Sequence, residues 1–403
     1  MYCQNLLKEA NKMLYNLNLF VKNEKAYDIF NKDHRLQTVP VINEYESAVV
    51  LPLRFYEEPR PWGRYKGGVI DKDGVFRAGL TRDVNRQTYC CSGYDVSDSE
   101  ISYCDEEVYF GGVILPYFGH ILLETLSRFW GIVEQDDKNK KIVFVLEKEQ
   151  TVIPNYFWEL MELLDIDRQR ILIVTEPRRF KKIIVPDESF MMGPGFHEYF
   201  MKTINKIKSK LPDSPIKKVY CTRTVFKHDC INEEYFENFF KRQGFFVVAI
   251  EKLSLKDQLT IWKNVDQVAC MAGTLSHMVL FSKPGTKITI LNRTEYSISL
   301  QSFINQIALP ECTFVDVYHN ILPTDHNCRA FIVGPNECWK KYVQQSGCYE
   351  YNETDFDFDI GPHLKEYLTK WSQHYSNEAF FGFLASKTAK DFEERIYNEF
   401  HKK

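Results

Sequence analysis

The sequence predicts an α/β protein made of two Rossmann-like parallel-sheet halves facing a cleft. Three observations carry that expectation. Compact apolar runs bounded by charge, such as KIVFVLE (141–147) and KITILN (287–292), have the pattern of strands buried on both faces. These runs alternate with segments of helical periodicity, and repeated strand–helix–strand units imply a parallel sheet covered by helices. The alternation pauses at Leu211-Pro-Asp-Ser-Pro and restarts beyond it. The expected domains are therefore 1–212 and 213–335, with 336–403 as a helical tail, rich in Tyr, Trp and Phe, that packs back on the body.

The elements follow in order. A helical pattern covers 4–30 and a strand pattern 47–55, before a loop-rich stretch with turn signals at Pro61-Trp-Gly, Gly67-Gly68 and Asp73-Gly74. VYFGGVIL (108–115) reads as a strand and 119–133 as a helix, followed by the strand 141–147 and a helix over 154–164 with proline at its tolerated start. Two strands (171–176 and 181–187) and the Gly-rich turn MMGPGF lead into a helix over 197–211. In the second half KKVYCTR (217–223) is a strand, and 232–244 is a helix that stops at a glycine. FFVVAIE (245–251) is a strand, and Ser254 with Asp257 caps a helix reaching 264. Strand 267–273, helix 274–282, strand 287–292 and strand 312–318 complete the pattern.

Composition narrows the function. The chain has 403 residues, with 51 Lys plus Arg against 55 Asp plus Glu. That balance lacks the positive surplus of general nucleic-acid binding. Aromatic residues make up 15%, a share that suits sugar and base platforms as well as a core. The 11 cysteines are odd in number and show no Cys-x-x-Cys pair, as expected of free thiols in a reducing compartment. There is no signal-peptide pattern and no apolar run approaching ~20 residues, so a cytoplasmic protein is expected. The tripeptides Asn292-Arg-Thr and Asn352-Glu-Thr fit the glycosylation acceptor pattern by chance in such a compartment.

Two segments could carry chemistry. In GHILLETLSRFW (119–130), His120, Glu124 and Arg128 recur every four residues and form one polar stripe in an otherwise apolar helix. The stripe reads either as a structural Glu124–Arg128 pair or as a general base, imidazole or carboxylate, on a cleft wall. In MAGTLSHMVLF (271–281), Gly273-Thr274 ends a strand and opens a helix, which presents free N–H groups to a diphosphate, with Thr274 and Ser276 as hydroxyl donors. The same residues also fit an ordinary tight turn capped by Thr274. Arg223 follows a strand where a fork donor suits phosphate, or is a surface arginine in a polar loop, and Glu251 ends one where a carboxylate can hold a ribose, or is a solvent-facing strand terminus. His277 either touches a ligand or packs.

The basic cluster Arg178, Arg179, Lys181, Lys182 is either a solvated rim or a contact for a membrane-associated acceptor. His228-Asp229-Cys230 reads as loop, no compact metal-ligand spacing is present, and G-x-G-x-x-G and P-loop patterns are absent.

These residues together resemble glycosyltransferase family 61, over about 108–293. His120, Glu124 and Arg128 look like that family's His-x-x-x-Glu-x-x-x-Arg helix. Arg223, Asn232-Glu233, Gly244-Phe245, Glu251, Gln258 and Gly273 to His277 look like its second block. Met271-Ala272 departs from the glycine or His-Gly that family members often carry there. The resemblance implies a GT-B fold, a nucleotide-sugar donor, and inversion at the anomeric carbon with no metal and no cofactor. His120 or Glu124 would then be the base, with Arg128, Arg223, Glu251, Gln258, Gly273, Thr274, Ser276 and His277 binding donor or substrate. A UDP-linked sugar, a glycan or glycolipid acceptor, and capsule-type surface polysaccharide synthesis at the inner face of a membrane fit that reading. Two other readings stay open: a non-catalytic nucleotide- or glycan-binding protein on the same fold, and a nucleotide-sugar epimerase.

Overall fold

The computed structural model describes residues 16–55, 65–81, 90–135, 137–146, 152–224, 229–295, 299–322 and 330–375. The chain divides into two compact units: His34–Pro212, and the residues up to Asp33 together with those from Asp213 onward. The N-terminal segment thus joins the second unit, where the sequence had suggested a first domain of 1–212. The reason is strand β1 (Asn16–Phe20), which pairs in parallel from Asn16 opposite Glu311 to Phe20 opposite Val315. A helix over 4–30 is therefore not formed: its described part is this strand and a 3-10 helix, Glu24–Asn31, and its start lies outside the described residues.

The unit His34–Pro212 is built on one eight-stranded sheet. Its strands are β2 (Ile42–Glu46), β3 (Val49–Phe55), β4 (Tyr65–Ile70), β5 (Phe76–Ala78), β6 (Ser102–Ile114), β7 (Lys141–Leu146), β8 (Ile171–Ile173) and β9 (Arg178–Pro186). The order is β5-β4-β3-β9-β6-β7-β8, with β2 also on β9. Only β9, β6, β7 and β8 are parallel; β2, β3, β4 and β5 join by antiparallel pairs. The wholly parallel first half expected from sequence is thus corrected to a mixed sheet. Short links let β3, β4 and β5 pair as antiparallel neighbours, whereas β2 and β3 reach β9 across more than a hundred residues of chain. Val50, Val69, Phe110, Val143, Val145 and Phe180 are buried at its core. A two-residue ladder, β10 (Phe190–Met191) with β11 (Gly195–Phe196), precedes the helix Phe200–Ser209.

The other unit holds a six-stranded sheet that is parallel throughout. Its strands are β12 (Lys218–Thr222), β14 (Phe246–Ala249), β15 (Gln267–Met271), β16 (Lys287–Asn292), β17 (Glu311–Asp316) and β1, in the order β14-β12-β15-β16-β17-β1. The short strands β13 (Cys230–Ile231) and β18 (Phe331–Ile332) pair beside it. Helices Glu234–Arg242, Leu255–Asn264 and Leu300–Ala308 link the strands, and Ser254 caps the second by accepting from the Asp257 N–H. The sequence reading had missed Leu300–Ala308. Ser302, Asn305 and Gln301 are buried along it, so its inward face lacks an unbroken apolar stripe.

The tail packs onto this unit through helix Glu337–Ser346. Trp339 is fully buried against Phe236, Phe239, Phe240 and Tyr342, with ring centroids 5.0, 4.9, 5.9 and 5.6 Å away. Its indole N–H donates to the Tyr235 hydroxyl at 3.1 Å. Removing so large a buried aromatic leaves a cavity that costs about 3–5 kcal/mol. Trp339→Ala should lower the unfolding free energy read from urea titration by that much; an unchanged value would mean that the tail adds nothing to the core.

Candidate active site

Strand order decides where a ligand can sit in the six-stranded sheet. From β12 the chain passes to β14 on one side, then to β15 on the other, so the winding reverses between β12 and β15. At such a reversal the connections leave in opposite directions and open a crevice beyond the carboxyl ends of the strands. Arg223 follows β12 and Gly273 follows β15, so both expected residues stand at this point.

The end of β12 is held from below by the helix Glu234–Arg242 and the turn before it. Glu233 Oε1 accepts from the Tyr220 hydroxyl and the Arg223 N–H, both at 3.1 Å. Glu237 accepts from the hydroxyls of Thr222 and Thr224. The Arg223 side chain is 13% exposed and donates to Asp229 Oδ2 at 2.9 Å. Arg293, just past β16, donates to the same oxygen at 2.7 Å and lies over the Phe331 ring. Burial alone would raise the Asp229 carboxyl, but the Arg293 and Arg223 guanidiniums bring it below its ordinary value.

Gly273 has a specific task here. It adopts φ 154° and ψ -170°, a region that only glycine enters readily. A Cβ at this position would stand 2.9 Å from Arg223 Nη1. Glycine therefore makes room for the arginine. The eight residues Thr274–Phe281 form a 3-10 helix with Thr274 exposed at its start. Ser276 and His277 are buried and turned toward helix Leu300–Ala308. Ser276 Oγ lies 2.7 Å from both the Gly273 carbonyl and Gln301 Oε1, and His277 Nδ1 is 2.9 Å from the same Gln301 oxygen. They hold the turn in shape. Glu251, in the turn after β14, keeps a buried Oε1 without a hydrogen-bond partner among the described residues. Gln258 donates to the Leu253 carbonyl at 3.0 Å and so closes the start of its own helix.

In the unit His34–Pro212, the segment that sequence reads as one helix is three: α-helix Phe118–Leu123, 3-10 helix Thr125–Arg128 and α-helix Phe129–Gln135. His120 and Glu124 remain partners, with Nδ1 and Oε2 2.7 Å apart. The imidazole is 30% exposed and the carboxylate 1%. A buried carboxylate on Nδ1 fixes the ring and its tautomer. Arg128 leaves the stripe. Four 3-10 steps turn a residue about 80° further than four α steps do. Its guanidinium donates to the carbonyls of Pro186 and Gly79, at 2.5 and 3.0 Å, and lies 3.6 Å from Glu188. The expected Glu124–Arg128 pair is replaced by Arg128–Glu188.

Other sequence features resolve as structure. Arg179 pairs with Asp98, and Lys182 with Glu44 and Glu46, so this part of the basic cluster is a neutralised strand surface. Asn292 is buried and donates to Tyr27 and Asp316, which removes it as a glycosylation acceptor. The described cysteines are free. Among the described residues no group of three or more His, Cys, Asp or Glu side chains is gathered as for a metal, and no helix is long and apolar enough to cross a membrane.

With this geometry in hand, comparison with known proteins is informative. The model of the family Glycosyltransferase 61 matches residues 118–289. The match starts at the helix carrying His120 and ends within β16, so residues 118–289 are a glycosyltransferase family 61 region. The activity this supports is glycosyl transfer, with a donor and an acceptor. No curated protein matches the chain.

Sequence reasoning missed Asp229 and Arg293. Asp229 was read as loop and Arg293 as the middle of a chance tripeptide, and only the tertiary fold joins positions 64 residues apart. Glu233 had a motif but no role. Burial pushes its carboxyl up to about 8, against the lowering effect of the Arg223 N–H and guanidinium. An unfolded glutamate titrates near ~4.3, so the folded protein keeps a proton that the unfolded chain releases between those values. Stability from this proton is full below the unfolded value and is lost as pH rises toward 8, by about 1.4 kcal/mol per unit. Glu233→Gln keeps the acceptor without the charge. Its melting temperature should gain steadily on wild type from pH 5 to pH 8; parallel curves would mean that Glu233 is ionised in the fold.

Proposed function

We propose that the chain is an inverting, metal-independent glycosyltransferase that moves a sugar from a nucleoside-diphosphate donor, UDP-linked, to a hydroxyl of a glycan or glycolipid in surface polysaccharide synthesis. The observation that carries this reading is Arg223 laid across Gly273 at the winding reversal of a parallel sheet, inside the segment matched by the transferase family. Nucleotides favour that place in open α/β sheets, and a guanidinium there opposes the charge of a departing diphosphate. The unpartnered Glu251 oxygen supports ribose binding at the neighbouring strand end.

In this reading the acceptor hydroxyl attacks the sugar C1 while His120 Nε2 takes its proton. The bond from C1 to the phosphate oxygen breaks with its electron pair going to the diphosphate, and one displacement inverts the configuration. Glu124 holds the imidazole and stabilises the imidazolium, and Arg128 positions the segment behind it. A GT-B-like arrangement would bring that imidazole to the sugar held by the other unit.

A nucleotide panel tests the donor. UDP, GDP and CDP, free and as sugar conjugates, are screened by thermal shift with and without EDTA. One nucleotide should stabilise selectively and regardless of EDTA, by ~2.7 kcal/mol at 100 times its dissociation constant; no shift with any of them would sink the donor assignment. His120→Ala and Glu124→Gln should then lower turnover by about 10²–10⁴-fold while nucleotide affinity stays at the wild-type value. Wild-type turnover in both variants would make the pair structural.

A further inference from the structure

We propose that Arg223 and Arg293 form a two-guanidinium clamp for a diphosphate, spaced by Asp229, which selects a diphosphate over a single phosphate independently of base and sugar. This deepens the donor reading and rests on it. Three facts point to an anion at these residues. The hydrogen-bonded group holds two arginines and one carboxylate, with side chains only 13%, 9% and 4% exposed, so one positive charge is in excess in a mostly buried place. Such an imbalance is costly unless a further anion completes it. Glu233, the next acidic neighbour, does not supply the charge, since burial keeps it protonated up to about pH 8.

The hydrogen-bond pattern is also incomplete in the direction of a ligand. Both guanidiniums use Asp229 Oδ2, while the buried Arg223 Nε, a donor that an anion could satisfy, has no partner among the described residues. A guanidinium carries five N–H donors, and here each arginine spends one nitrogen on the aspartate. Arg293 is pinned over the Phe331 ring at 4.4 Å. Its Nη2 stands 3.7 Å from the point where a Gly273 Cβ would be, beside Arg223 Nη1 at 2.9 Å. The shared Asp229 oxygen thus sets two forks side by side, one for each of two adjacent phosphoryl groups. Asp229 is a positioning residue, and Arg293 the second arm.

Calorimetric titration of the full chain with inorganic pyrophosphate and inorganic phosphate, at matched ionic strength, tests the clamp. Wild type should bind pyrophosphate at least about tenfold more tightly than phosphate, the worth of one charge-assisted hydrogen bond. Arg293→Lys keeps a cation for Asp229 and loses the fork, so it should fold as wild type and lose most of that preference; Arg293→Ala should lose all of it. Equal binding of the two anions by wild type, or an unchanged preference in Arg293→Lys, overturns the clamp. UDP titrated in parallel separates the two readings. If wild type binds UDP and Arg293→Lys binds it equally well, the clamp falls and the donor site stands. If Arg293→Lys loses the pyrophosphate preference while UDP, GDP and CDP bind no better than pyrophosphate, the clamp stands and the nucleotide donor falls.

Discussion

All six strands of the larger parallel sheet run the same way, and this one constraint sorts the unit's residues. Both faces are covered, so strand interiors such as Val268–Met271 and Ile288–Leu291 hold little but apolar side chains. Polar chemistry is driven to the ends, and parallel direction puts every carboxyl end on one edge. Thr222-Arg223, Glu251, Gly273, Asn292-Arg293 and Asp316 all stand there, although nearly a hundred residues of chain separate the first from the last. Edge groups must still satisfy one another. Asp316 accepts from the Lys22 N–H and from Asn292, which ties the N-terminal segment to the strand ends. The arginines left around Asp229 are the part of that edge whose charge does not close.

The other unit uses a different device. His120 and Glu124 rely on a single α-turn, and the chain then changes its winding. Thr125 Oγ1 donates to the Val113 carbonyl at 2.9 Å, anchoring the 3-10 segment to the end of β6. The change of pitch sends Arg128 into the body, where it braces the segment from behind through the Gly79 and Pro186 carbonyls. Burial raises the Glu188 carboxyl despite Arg128 nearby, and its oxygens accept from the Thr81 N–H. That bracing depends mainly on carbonyl acceptors.

How much of this was legible in the sequence follows from the range of each interaction. KITILN gave its strand to the residue, because burial on both faces writes itself into consecutive side chains. The Ser254 cap was readable because its partner lies three positions away, and the stripe shared by His120 and Glu124 because they lie four apart. β1 was not, since its preference is set by a partner almost three hundred residues away. The antiparallel strands β4 and β5 hid in a stretch of turn signals, where a short strand and a loop have similar composition. Arg223 could be found from its place after a strand, but Arg293 and Asp229 acquire meaning only through each other.

The pairing of β1 with β17 also sets an order of events during synthesis. Residues 34–212 emerge between the two strands and form a compact unit whose sheet needs nothing from either. β1 leaves the ribosome some 290 residues before its partner Glu311–Asp316. At about 5–20 residues per second, that is a wait of roughly 15–60 s. Throughout that interval the sequence NLNLF is a strand without a sheet, open to chaperones or to the wrong edge. A strand of this sheet is thus translated well before the neighbour it pairs with.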